Sequence, residues 1–155
     1  MVDTVDSITR SRMMAGIRST NTRPELAIRK ALHANGFRYR LHPSNVPGKP
    51  DLAFPRYKVA VFVNGCFWHG HDCHLFRLPA TRADFWSAKI TRNRQRDEDV
   101  RKQLRKTDWR VLTIWECAIR GRESIGLSNV ITDVSSWLQT GAENREIRGI
   151  AHGAC

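Results

Sequence analysis

The sequence lacks any uncharged apolar run long enough to cross a bilayer, which takes about 20 residues in a helix. Its N-terminal segment, MVDTVDSITRSRMM, contains no apolar core of the kind found in secretion signals. Internal repeats and low-complexity segments are also missing, and 155 residues suffice for one ordinary domain with its own core. We therefore expect a cytoplasmic protein with no membrane partner.

Acidic residues are few compared with basic ones. The chain has 15 Asp and Glu against 26 Lys and Arg, which gives a formal net charge of +11. Much of the basic charge falls within residues 10–29, 89–106 and 120–122. Such clusters are the electrostatic footprint of nucleic-acid binding, whereas solubility alone requires no particular sign of charge. We expect a nucleic acid as the partner, which would associate the protein with the nucleoid; another polyanion is the alternative.

Cysteine is scarce, and its placement is uneven. The four cysteines are Cys66, Cys73, Cys117 and Cys155. A disulfide framework is not expected in a reducing compartment, and Cys155 at the end of the sequence is expected to have no role. Residues 64–74 read NGCFWHGHDCH, which places His69, His71 and His74 near two of the thiols. A structural zinc ion takes four Cys or His ligands. Three thiols and one of these histidines therefore predict a zinc site, and three buried free cysteines are the alternative.

Apolar periodicity and turn residues predict one mixed α/β domain over residues 1–140, followed by a loose tail at 141–155. The predicted helices cover residues 9–18, 23–34, 81–106 and 128–138, and the predicted strands cover residues 37–41, 51–54, 57–63 and 109–116. A turn at Pro55-Arg56 makes the second and third strands a hairpin. The last strand is apolar throughout, which is typical of a central strand.

The long predicted helix has an anomaly on its apolar face. The apolar positions of this face are Trp86, Ile90, Val100 and Leu104. Asn93 and Asp97 complete the stripe at helical spacing. A buried amide or carboxylate costs roughly 1–3 kcal/mol unless it has a partner. The two residues either brace neighbouring loops or face an active site.

Two further features bear on chemistry. Asp51, in PGKPDLAF, stands where the first half of the PD-(D/E)xK nuclease signature would place a metal ligand, but Val61 to Val63 occupy the positions of the second half. Phe67 and Trp68 lie between the predicted zinc ligands. Their rings either wedge between DNA bases or pack on the helix that begins near Trp86.

Five segments together resemble the very-short-patch repair (Vsr) endonucleases. They are SRMMAGIRSTNTRPE, PGKPDLAF, NGCFWHGHDC, PATRADFWSAKITRNRQRD and WRVLTIWECAIRGRE, within residues 9–123. The resemblance implies a restriction-endonuclease-like sheet flanked by helices, and an enzyme that depends on Mg²⁺. Such an enzyme nicks one strand beside a T:G mismatch left by deamination of 5-methylcytosine. It also implies a monomer acting on double-stranded DNA, with mismatch-repair factors and a repair polymerase as further partners.

The resemblance also implies roles for residues of the catalytic centre. Asp51 and the main-chain carbonyl of Val63 would hold Mg²⁺. His69 would be the general base, and Glu25 and Asp97 would orient metal-bound water or the base. The implied ligands of a structural zinc ion are Cys66, His71, Cys73 and Cys117.

Contacts to DNA are implied as well. Phe67, Trp68 and Trp86 would enter the duplex from the major groove. Met14, on an N-terminal helix within residues 1–20, would enter from the minor groove. The implied contacts to the mismatched pair are Lys89 and Asn93.

At one point the chain departs from the family pattern. Val63-Asn64 replaces the Thr-His found in many members. Valine keeps the carbonyl that would contact the metal, but Asn64 cannot carry a proton or a positive charge at the scissile phosphate. Two alternatives to the mismatch nickase stay open: a zinc-stabilised DNA-binding protein without catalysis, and a PD-(D/E)xK nuclease without mismatch specificity.

Overall fold

The computed structural model describes residues 22–150. The elements, in chain order, are α1 (Arg23–Ala34), β1 (Arg40–Leu41), β2 (Leu52–Phe54), β3 (Val59–Asn64), α2 (Ala83–Lys106), β4 (Arg110–Trp115), a 3₁₀ turn (Glu116–Ala118), α3 (Leu127–Thr140) and β5 (Arg145–Ile147). The helix predicted at 9–18 lies outside the described residues, as does Met14. Within residues 22–150, none of the helices is both long and apolar enough to cross a membrane.

A five-stranded mixed sheet, in the order β1-β2-β3-β4-β5, forms the centre of the fold. The first three strands are antiparallel, and Leu52 pairs with Val61 in the predicted hairpin. Strand β3 pairs in parallel with β4, and α2 makes the crossover between them. Strand β4 has a neighbour on each side, as its continuous apolar character predicts. The predicted mixed α/β fold is confirmed.

Helices cover both faces of the sheet. On one face, side chains of α1 and α3 pack against alternate positions of β3 and β4, such as Val61 and Leu112. On the other face, Leu104 of α2 packs against Ala60 and Val111. Because the side-chain period of a strand is two, neighbouring residues of β3 and β4 point to opposite layers. The two layers leave the C-terminal ends of β3 and β4 at one edge of the fold.

Helix α1 has the boundaries that its sequence predicts. Thr22 is the N-cap, and its hydroxyl accepts a hydrogen bond from the Glu25 main-chain N–H at 3.4 Å. Asn35 is the C-cap, and Gly36 follows it with φ of +89°, in the left-handed region that favours glycine. The cap places the buried Glu25 in the first turn of the helix.

The predicted loose tail is wrong for most of its described part. Residues 145–147 form β5, which pairs in parallel with β4, and Ile147 is only 2% exposed. Two side-chain bonds fix this strand: the Val111 N–H donates to Asn144 Oδ1 at 2.9 Å, and Trp115 Nε1 donates to Glu146 at 3.2 Å. A three-residue edge strand with one apolar side chain is too short to produce a periodic pattern. The strand predicted at 37–41 is likewise reduced to Arg40–Leu41.

Candidate active site and metal centre

An open cleft of about 1210 Å³ lies between α2 and the ends of β2 and β3. Eight of the predicted site residues line it: Asp51, Val63, Asn64, Trp68, His69, Lys89, Asn93 and Asp97. Basic side chains also line the cleft: Arg23, Lys49, Lys89, Arg96 and Arg101. The cleft therefore combines acidic groups suited to a divalent cation with cations suited to phosphate.

Next to the cleft, four residues bring their ligand atoms within 4.8 Å of one another: Cys66, His71, Cys73 and Cys117. The first two thiols lie on the loop after β3, and Cys117 lies on the 3₁₀ turn after β4. Since β3 and β4 are parallel neighbours, both segments leave the sheet at the same edge. Tight turns complete the cluster, because the His71 N–H donates to Cys66 O at 2.9 Å and the Cys73 N–H donates to His71 O at 2.9 Å.

The surroundings of this cluster suit thiolates and a neutral imidazole. Main-chain N–H groups of Cys117 and Gly149 donate to Cys66 Sγ and Cys117 Sγ, both at 3.3 Å. Burial raises the pKa of the Cys66 and Cys117 thiols, and neighbouring thiols add to the rise, so a cation is needed to keep them ionised. Burial, followed by the charge of Arg148, lowers the pKa of His71, which keeps the ring in its metal-binding form. Three thiols and one imidazole in a closed setting fit a structural zinc ion.

Contacts around His71 hold its ring in place. The ring stacks on Trp115 with centroids 3.9 Å apart and an interplanar angle of 6°. Its Nε2 lies 3.6 Å from Asp72 Oδ1, and Arg148 binds the same Asp72 oxygen at 2.7 Å. A carboxylate beyond the ligand is a common support for a metal-binding histidine. The other two histidines that the sequence left open are used elsewhere: His69 contacts Asp97, and His74 lies 3.2 Å from Glu123.

Asp51 lies just before β2 and faces β3. Its Oδ2 accepts a hydrogen bond from the Val63 N–H at 2.7 Å. The pKa of Asp51 is raised to about 7, chiefly by burial and also by Glu25, while the hydrogen bond from the Val63 N–H acts in the opposite direction. Ligand atoms of Glu25, His42 and Asp51 lie within 4.8 Å of one another. Because carboxylate oxygens are the ligands that Mg²⁺ takes from proteins, this cluster fits a divalent cation.

His69 and Asp97 both line the cleft, and their side chains are in close contact. The distance between His69 Nδ1 and Asp97 Oδ2 is 2.5 Å, and both side chains are about one-quarter exposed. Since an ionised carboxylate only accepts hydrogen bonds, the proton of neutral His69 lies on Nδ1. Nε2 is then the ring nitrogen that accepts a proton. This arrangement of a histidine oriented by a carboxylate is typical of a general base.

The loop aromatics pack against the start of α2. Phe67 and Trp68 lie 5.5 and 5.8 Å from Trp86, measured between ring centroids, and Phe67 also contacts Phe76 at 6.2 Å. Phe67, Trp68 and Trp86 are all partly exposed. The packing on α2 that we considered as one alternative is thus present in the protein without DNA. It leaves part of each ring accessible, so an additional contact with bases stays a prediction.

Both polar residues of the α2 stripe contact the loop that carries Cys66 and Cys73. Asn93 Nδ2 donates to the main-chain oxygen of Trp68 at 2.9 Å, and Asp97 binds His69. The first alternative, that these residues brace a neighbouring loop, is thus present; that loop borders the cleft, and a role at an active site stays a prediction. Asn64 ends β3 opposite Trp115 and is 8% exposed.

Two cleft residues were missed from the sequence. His42 contacts the buried Glu25, and Glu116 accepts the Cys66 N–H at 3.3 Å while it pairs with Arg120. His42 precedes the PGKPD segment by a few residues, so a histidine near a predicted metal ligand was the available signal. For Glu116 the only available signal was its position directly before Cys117, a predicted zinc ligand.

Comparison with known proteins agrees with this arrangement. The family model "DNA mismatch endonuclease Vsr" matches residues 2–75. The chain is 38% identical over 138 residues to the DNA mismatch endonuclease Vsr of Escherichia coli, which covers 89% of this chain and 88% of that protein. The chain belongs to the Vsr family of DNA mismatch endonucleases. As a Vsr family member it is an endonuclease, and the restriction-endonuclease-like fold of the family agrees with the mixed sheet and flanking helices.

Other Vsr-like relatives are nicking enzymes. The type II nicking enzyme V.XorIIP of Xanthomonas oryzae is 45% identical over 119 residues, which is 77% of this chain and 88% of that protein. The type II nicking enzyme V.NmeAIP of Neisseria meningitidis is 40% identical over 122 residues, or 79% and 87% of the two chains. The similarity thus covers most of both chains.

Proposed function

We propose that this protein nicks one strand of double-stranded DNA beside a T:G mismatch, in a reaction that requires Mg²⁺ and starts very-short-patch repair. One observation carries the proposal: Asp51 and the His69–Asp97 pair line the same cleft as the basic residues and Trp68. Family membership supports it, because relatives are named as a mismatch endonuclease and as nicking enzymes. The protein is expected to act as a monomer, with mismatch-repair factors and a repair polymerase as later partners.

Two groups of residues in the cleft would contribute to different parts of the reaction. Mg²⁺ at Asp51 and the Val63 carbonyl would supply positive charge that stabilises the transition state at the phosphate. Nε2 of His69 takes a proton from the attacking water, and Asp97 stabilises the imidazolium that forms. Glu25, buried beside Asp51, supplies the second carboxylate of the cluster. Asn64 offers a hydrogen-bond donor near the phosphate where a charged histidine would offer a proton.

Recognition of the mismatch is assigned to the aromatic loop and α2. Phe67 and Trp68 stand between two predicted zinc ligands, so zinc would fix their main chain before DNA arrives. A rigid group loses little conformational entropy when it inserts. A T:G wobble pair is easier to unstack than C:G, so the cost of deforming DNA discriminates between them. Lys89 and Asn93 would contact the mismatched pair, Trp86 would support the wedge, and Met14 would enter the minor groove.

A cleavage assay tests the proposal. Duplexes that differ only in carrying T:G or C:G are labelled on each strand in turn and incubated with and without Mg²⁺. We expect a single cut in the T-containing strand of the T:G duplex, only with Mg²⁺. Binding without any cut would support a zinc-stabilised DNA-binding protein, and equal cutting of both duplexes would support a nuclease without mismatch specificity. Asp51→Asn is the inactive control.

A further inference from the structure

His42 lies directly beside the predicted metal ligand Asp51. Strands β1 and β2 pair Arg40 with Ala53 and Leu41 with Leu52, so the next antiparallel pair in this register is His42 with Asp51. The pairing continues through one bond, because the His42 N–H donates to Asp51 O at 3.2 Å. The main chain of His42 has φ of +43°. Residues other than glycine are uncommon in this region, and Asn, Asp and His are enriched among them. A histidine is thus held in a bent conformation next to Asp51.

The side chain of His42 binds the second carboxylate of the cluster. Its Nε2 lies 3.2 Å from Glu25 Oε1, while Arg29 Nη1 lies 3.0 Å from Glu25 Oε2. The Glu25 side chain is 1% exposed, so protein groups take the place of water around it. A buried carboxylate without such donors would carry a large desolvation cost. Two basic groups from different segments therefore each contact one oxygen of Glu25.

The position of Glu25 matters for Asp51. Their carboxylates and the imidazole of His42 lie within 4.8 Å of one another. Two carboxylates at this spacing repel each other and attract a shared cation. An imidazole nitrogen that donates a proton to Glu25 has no lone pair left for a metal. The contact at Nε2 thus commits this ring nitrogen to the Glu25 carboxylate.

We propose that His42 is a positioning residue of the divalent-metal site, which holds Glu25 so that Glu25 and Asp51 present their oxygens to one cation. The proposal rests on the proposed function only in taking Asp51 as a ligand of a divalent metal. Residues that orient a metal ligand typically change metal affinity by about 10- to 100-fold. Loss of the His42 side chain is expected to weaken binding within that range.

The test measures metal binding without DNA or catalysis. Mn²⁺, which takes the same oxygen ligands as Mg²⁺, is titrated into zinc-loaded full-length protein while free Mn²⁺ is followed by electron paramagnetic resonance. We expect His42→Ala to bind Mn²⁺ at least about tenfold more weakly than wild type. His42→Gln should bind nearly normally, because its amide N–H can still donate to Glu25. His33→Ala, an exposed histidine on α1 outside the cleft, is the matched control.

A double mutant separates positioning from ligation. If His42 acts through Glu25, His42→Ala should have no further effect in a Glu25→Gln background. Additive losses, or wild-type affinity in His42→Ala, would overturn the proposal. His42→Met fills the space without a donor and replaces alanine if zinc content or melting temperature shows that His42→Ala is misfolded. If wild type and Asp51→Asn bind Mn²⁺ equally weakly, the proposed catalytic metal fails; if only Asp51→Asn loses binding, the role of His42 alone fails.

Discussion

The cysteine cluster and the Asp51 cleft both have the donor groups of a metal site, yet they differ in every other respect. The cluster offers soft sulfur and nitrogen donors, and Cys66 and Cys117 are fully buried. The cleft offers hard oxygen donors beside an open volume lined by basic side chains. Closed four-ligand sites are typical of structural zinc, whereas chemistry requires a position that substrate can reach. Two sites on either side of one loop can thus divide stability from catalysis.

The largest expected effect is on the closed side of this comparison. Cys73→Ser should lose zinc and unfold far below the wild-type melting temperature. Structural zinc contributes roughly 10 kcal/mol or more, which is comparable to the whole stability of a domain, about 5–15 kcal/mol. Elemental analysis and thermal melts test this, with Asp51→Asn as a control that should keep its zinc. Wild-type stability in the presence of a chelator that removes zinc would contradict the prediction.

In the open cleft, Asp51→Asn should instead leave the protein folded and reduce its activity. We expect mismatched DNA to be bound almost normally and nicked at least roughly 10²-fold more slowly, because a key electrostatic group is lost. Binding and single-turnover nicking are measured on the same T:G duplex. If the variant nicks at the wild-type rate, Asp51 is not a ligand of the catalytic metal, and the proposed division between a structural and a catalytic metal site is wrong.

His69 connects the two sites, since it lies between the predicted zinc ligands Cys66 and His71 in the sequence and contacts Asp97 in the cleft. The nicking rate should rise with pH, because a general base must be unprotonated to accept a proton. His69→Ala should slow nicking by about 10²-fold or more and flatten the profile. His74→Ala, whose histidine contacts Glu123 outside the cleft, tests the effect of changing a loop histidine. A wild-type profile in His69→Ala would mean that no protein base acts here.

The aromatic pair sharpens the comparison further, because Phe67 and Trp68 follow Cys66 in the sequence and Trp68 lines the cleft. Phe67→Ala and Trp68→Ala should melt within a few degrees of wild type, since both rings are partly exposed. Each should lose at least roughly tenfold in preference for T:G over C:G duplex, about 1.4 kcal/mol. Melts of the free variants are followed by binding to both duplexes at one salt concentration. A loss of about 3–5 kcal/mol of stability with selectivity intact would instead make the rings ordinary core.

Stability itself should also depend on pH. Folding raises the pKa of Asp51 from 3.8 to about 7, so the folded protein binds the proton more tightly than the unfolded chain. Stability without a divalent metal in the cleft should therefore fall as pH rises from about 4 to about 7, by at most about 1.4 kcal/mol per unit. Melts of wild type and Asp51→Asn between pH 5.5 and 8 test this through their difference. If the difference between the two melting temperatures does not change with pH, folding does not shift the pKa of Asp51.

Local signals predicted much of the fold. The Thr22 cap, the Asn35-Gly36 terminus and the hairpin each depend on residues a few positions apart, and all three are present. Strand β5 was missed because it is fixed by contacts to β4 more than 30 positions away in the chain.

The candidate site shows the same limit. Spacing alone left three histidines open as the fourth ligand of the cysteine cluster. The resemblance to the Vsr family implied His71, and in the folded chain His71 does join the cluster, while His69 and His74 face carboxylates on other elements. His42 was missed for the same reason, since its partner Glu25 lies 17 positions away.

The cysteine cluster also has a consequence for the order in which the chain is made. Its last ligand, Cys117, follows Cys66 by 51 positions, and the N–H of Gly149 that binds Cys117 Sγ comes 32 positions later still. At about 5–20 residues per second, synthesis would separate each of these events by roughly 2–10 seconds. The thiols of the loop are thus made well before the segments that enclose them. Zinc loading would compete with oxidation during that interval, so the metal supply at the ribosome would help decide how much nuclease folds.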